Sequence, residues 1–139
     1  MYDTGIAFVL GRLAEALETA EDPRQRLVSG LRTFLTVLAD EPAFCRSIVL
    51  EIYAVGPTGV SKRRAVLQVF AGRYLEVNRQ AREEDPDVEP LSGDVALGLV
   101  GAILECVASR VEEGRAKELP DLMDTLSDFV IRNVLPSTS

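Results

Sequence analysis

Apolar positions recur every three or four residues along almost the whole chain, and strict alternation is nearly absent. Ile6, Val9, Leu10, Leu13 and Leu17 predict a first helix, with Arg12, Glu15 and Glu18 largely on its other side. Asp22-Pro23 predicts a helix start, an N-cap aspartate followed by a proline in the first turn. Leu27, Leu31, Phe34, Leu35 and Leu38 form the stripe of the helix it opens. Asp40-Glu41-Pro42 repeats the signal before a third helix with Phe44, Ile48, Ile52 and Val55 on one face, ended by Gly56-Pro57. A longer fourth helix is predicted over residues 60–82, with Leu67, Phe70, Tyr74, Val77 and Ala81 in register. Residues 83–92 read as an acidic loop. Two prolines and five acids fall within residues 83–90, a composition that predicts mobility because it offers little to bury.

The fifth helix, over residues 93–113, is apolar around nearly its whole circumference from Val95 to Ala108. Such a helix must be buried all round. One side is expected to face the core and the other a second chain, with Gly98, Gly101 and Ala102 allowing close approach. Gly114 caps its end. A sixth helix begins near Leu119-Pro120 and carries Leu122, Met123, Leu126, Phe129, Val130 and Val134 on its apolar face. The expectation is one all-α domain over residues 1–139. Residues 1–82 form its first four helices, 83–92 the loop and 93–135 the last two helices.

Composition narrows the chemistry. The 139 residues carry a net charge of −7, which argues against binding nucleic acid through clustered Lys and Arg. Histidine is absent, which removes the commonest general base and metal ligand. Cys45 and Cys106 lie far apart and read as buried apolar residues of a reducing compartment. No apolar run approaches the roughly twenty residues of a membrane span. With no basic region preceding an apolar run at Met1, a cytoplasmic location is expected.

Residues 56–63, Gly-Pro-Thr-Gly-Val-Ser-Lys-Arg, look at first like a phosphate-binding loop. Ser61 and Arg63 replace the glycine and hydroxyl that such a loop requires. A C-cap and turn are the better reading. Asp121, Asp124 and Asp128 repeat with helical spacing but oppose the apolar face, so they read as solvated rather than as a metal site. Glu51 shares the inward stripe of Phe44, Ile48 and Val55, and Arg64 that of Val60, Leu67 and Tyr74. An inward carboxylate needs a partner. A Glu51–Arg64 ion pair fastening two helices is therefore expected, with a polar anchor in a ligand cavity as the alternative for Glu51.

In order and spacing, these elements resemble the regulatory half of TetR-type transcriptional repressors. The resemblance rests on Asp22-Pro23-Arg24, on Leu38-Ala39-Asp40-Glu41-Pro42, and on residues 50–57, Leu-Glu-Ile-Tyr-Ala-Val-Gly-Pro, with Lys62-Arg63-Arg64. It continues through residues 99–105, Leu-Val-Gly-Ala-Ile-Leu-Glu, then Val111-Glu112-Glu113-Gly114-Arg115 and Glu118-Leu119-Pro120. It implies a six-helix effector-binding and dimerisation domain whose last two helices form an intermolecular four-helix bundle. A small apolar effector would bind among the first five helices and shift the spacing of two DNA-reading units. Operator DNA would be engaged only through a helix-turn-helix for which these residues leave no room. On this reading, Phe34, Phe70 and Tyr74 line the effector pocket, with Glu51, Tyr53 and Asn78 as polar groups at its edge. Leu99, Ile103, Val107, Leu122, Leu126, Phe129 and Val130 hold the homodimer. No cofactor, metal, membrane or catalytic role is expected. The alternative is a stand-alone, DNA-blind partner that pairs with a full-length regulator.

Overall fold

A computed structural model of the chain describes residues 2–18, 20, 22–52 and 56–136; within these, the side chains of residues 2–6, 17, 48 and 50–52 fall outside the description. The described residues form six α-helices and no strand. The helices are α1 (Tyr2–Glu18), α2 (Pro23–Asp40), α3 (Pro42–Ile52), α4 (Pro57–Glu84), α5 (Gly93–Glu112) and α6 (Met123–Val134). The fold is all-α. A 3-10 segment, Ala116–Leu122, precedes α6 and contains Pro120, so the sixth helix starts a turn later than its sequence suggests.

The start and stop signals act as their chemistry requires. The Asp22 carboxylate accepts from the Gln25 amide at 2.7 Å, capping α2. The Ser92 hydroxyl accepts from Val95 at 3.1 Å and caps α5. Gly114 (φ 73°) supplies the left-handed turn after α5, whereas Gly56 (φ 99°), expected as a C-cap, is the N-cap of α4, which takes Pro57 and residues 58–63 into its first turns.

α2 is the hub of the packing. It touches α1, α3, α4, α6 and the 3-10 segment, while α4 runs against α5. The core draws Val9 and Leu13 from α1, Leu31, Leu35 and Leu38 from α2, and Cys45 from α3. Leu99, Val100, Ile103 and Val107 of α5 and Leu126, Val130 and Val134 of α6 complete it, with Leu119 of the 3-10 segment. Each fully buried aliphatic side chain contributes roughly 1.5–3 kcal/mol.

The acidic loop is tethered at several points. Val88 is buried, and its amide donates to the Asp85 carbonyl at 3.1 Å. The Glu89 amide donates to the Pro136 carbonyl at 2.9 Å, and Arg82 Nε donates to the Val88 carbonyl at 3.2 Å. Composition alone hides these tethers, because they are made by backbone groups and by residues outside the loop.

Candidate functional site

A cavity of about 80 Å³ opens among α1, α2, α4 and α5. Its walls are Leu13, Leu27, Leu31 and Val77 with Val100, Ile103 and Leu104. Phe34 and Phe70 meet edge to face at the same cavity, their centroids 5.8 Å apart and their planes at 63°. Tyr74 also lines it, and burial pushes its phenol well above the ordinary range, so it stays protonated as a neutral donor. Three residues expected at one pocket, Phe34, Phe70 and Tyr74, are thus brought together.

Two cations join them. Arg26 and Arg73 line the cavity, and the Nε–H of each is buried with no hydrogen-bond partner. Arg26 Nη1 donates to Gln80 Oε1, a neutral group. Among the described residues, no acidic side chain lines the cavity and no carboxylate forms a salt bridge with Arg73. The nearest acid in the sequence of α4, Glu76, is exposed and is held low mainly by a hydrogen bond from Arg79, with Arg26 adding a weaker attraction. Periodicity carried a signal for both arginines. Arg26 stands four and eight residues before Gly30 and Phe34, and Arg73 stands between Phe70 and Val77, each within an inward register.

Asn78 does not line this cavity. It is 4% exposed and its amide is fully occupied elsewhere. Nδ2 donates to the Val134 carbonyl at 2.7 Å and to the Glu89 carbonyl at 3.0 Å, while Oδ1 accepts from the Leu91 amide at 2.9 Å. Asn78 is a clip joining α4 to the loop and to the end of α6. Arg64 is exposed on α4, which removes the buried guanidinium that an ion pair with Glu51 was expected to provide. The Glu51 side chain and Tyr53 lie outside the described residues.

The residues expected to hold a dimer separate into two groups. Leu99, Ile103, Val107, Leu126 and Val130 are buried in the protomer's own core, because α5 and α6 pack inward along those stripes. Leu122 is half-buried, and Phe129 is 38% exposed. Val95 and Leu97 of α5 are exposed as well, at 45% and 40%. The surface that a second chain can reach is therefore the opposite side of α5: Val95, Gly98, Ala102 and their neighbours.

No family model, no curated protein and no solved structure matches this chain. The geometry of the chain itself carries the functional argument. Among the described residues, no group of three or more His, Cys, Asp or Glu side chains is placed to hold a metal ion, and no helix is long and apolar enough to cross a membrane.

Proposed function

We propose that this chain is the ligand-sensing and dimerisation domain of a TetR-type transcriptional regulator, acting in the cytoplasm and carrying no reaction of its own. The observation that carries the proposal is the apolar cavity lined by Phe34, Phe70 and Tyr74 between α2, α4 and α5. A concave, mostly apolar site with few polar groups is the usual form of a small-molecule site. A ligand there touches helices from both halves of the chain, so binding can alter how α4 lies against α5 and shift a population of states. The exposed Val95, Leu97 and Phe129 supply apolar surface on the last two helices for a second copy. Operator DNA would be read by a helix-turn-helix outside these residues.

Two measurements test the proposal together. Small apolar molecules should raise the melting temperature, since a ligand that binds only the folded state stabilises it by mass action. The chain should sediment as a dimer at micromolar concentration. A monomer without a thermal shift across a broad apolar library would refute the proposal. A dimer without any ligand response would favour a DNA-blind pairing partner.

A further inference from the structure

We infer that the ligand of this cavity is an apolar molecule ending in a carboxylate, read by Arg26 and Arg73; this rests on the sensing role proposed above. Two guanidinium groups at the wall of an apolar cavity are costly to leave unsatisfied. A buried donor without a partner loses its hydration and gains nothing in return, and both Nε–H groups are in that state. The fork of donors along one edge of a guanidinium matches the two oxygens of a carboxylate. A neutral alcohol or amide can accept from one donor but leaves the charge uncompensated. A cation would meet two like charges in a site with no acidic side chain among the described residues of its lining. The Gln80 contact holds Arg26 without neutralising it.

Size sets the rest of the ligand. Sites that enclose drug-sized molecules run to roughly 300–1,000 Å³, and this one has about 80 Å³. A short alkyl segment fits the apolar walls with its head at the arginines, and the rest of a longer chain would extend through the open side of the cavity. A bulkier tail would have to part Phe34 from Phe70.

Three probes of equal length test the inference: octanoate, octanol and octylamine, compared by thermal shift and calorimetry on the full chain. Octanoate should bind about tenfold more tightly than octanol, as expected for hydrogen bonds to a charged group, and octylamine should bind least. Arg73→Gln should bring octanoate close to octanol. Arg73→Lys, which keeps the charge and loses the fork, should fall between. Equal binding of octanoate and octanol to the unmodified chain would overturn the inference and leave the sensing role standing. So would an octanoate preference that survives both Arg73→Gln and Arg26→Gln. Silence of all three probes and of a neutral apolar library would overturn both readings together.

Discussion

Replacing Asn78 by Ala tests whether this residue is a structural clip or a ligand anchor. The change orphans three backbone groups: the Val134 and Glu89 carbonyls and the Leu91 amide. The Val134 bond is the buried one, and an orphaned buried acceptor costs about 1–3 kcal/mol. The other two are partly buried and open to water, which limits each loss to about 0.5–1 kcal/mol. The total expected loss is about 2–5 kcal/mol. For a chain of this size, each kcal/mol lowers the melting temperature by roughly 3–5 °C. Circular dichroism melts should therefore fall by at least roughly 6 °C, and amide exchange at Leu91 should accelerate. Asn78→Asp sharpens the test, since it keeps the acceptor for Leu91 but turns an oxygen toward two carbonyls. That carboxyl would titrate above its ordinary range, so the deficit relative to the unmodified chain should narrow as pH falls through its folded pKa. An Asn78→Ala protein that melts within about 2 °C of the unmodified chain, yet loses ligand affinity, would refute the clip and restore Asn78 to the pocket.

Further consequences separate core from surface. Leu126→Arg should unfold the protomer, because it buries an unpaired cation, whereas Phe129→Arg should leave the fold intact and shift sedimentation toward monomer. Gly98→Ala meets no atom of its own protomer within 4 Å; it should stabilise a monomer by about 0.5–1 kcal/mol and weaken a dimer whose backbones approach there. Arg64→Leu, at an exposed position, should change stability by less than about 0.5 kcal/mol in denaturant titrations. Burial pushes the Cys45 thiol up to about 11, so at pH 8 a thiol reagent should label half-buried Cys106 first. The same shift means that the contribution of Cys45 to stability is complete below its ordinary value of 9.0 and is lost as pH rises toward about 11.

Helix number, order and most boundaries were legible because capping chemistry is local. Asp22-Pro23 and Gly114 each act within one turn of themselves, while Gly56-Pro57, read as a stop, opens α4. The stripe through Phe34, Phe70 and Tyr74 was legible for a similar reason, since helical register places side chains on a face. Register does not say which face meets which neighbour. α5 is apolar on all sides, so its sequence left open which stripe turns inward, and the core took Leu99, Ile103 and Val107. Asn78 lies among the inward positions of α4, but periodicity carries no sign of the three backbone groups it would meet from residues 89, 91 and 134. Arg26 and Arg73 share inward registers with the cavity residues, as Arg64 does with Val60 and Leu67, yet Arg64 faces solvent, and periodicity alone does not separate the three.

The central place of α2 has a consequence for how the protein is made. Its apolar face is buried in part by the 3-10 segment Ala116–Leu122 and by α6, which are synthesised long after Asp40. At translation rates of about 5–20 residues per second, on the order of ten seconds passes before those partners exist. During that interval Leu31, Leu35 and Leu38 lack part of the cover they have in the finished protein. Slowed elongation should lengthen the exposure and lower the soluble yield, through side chains that are absent from the finished surface.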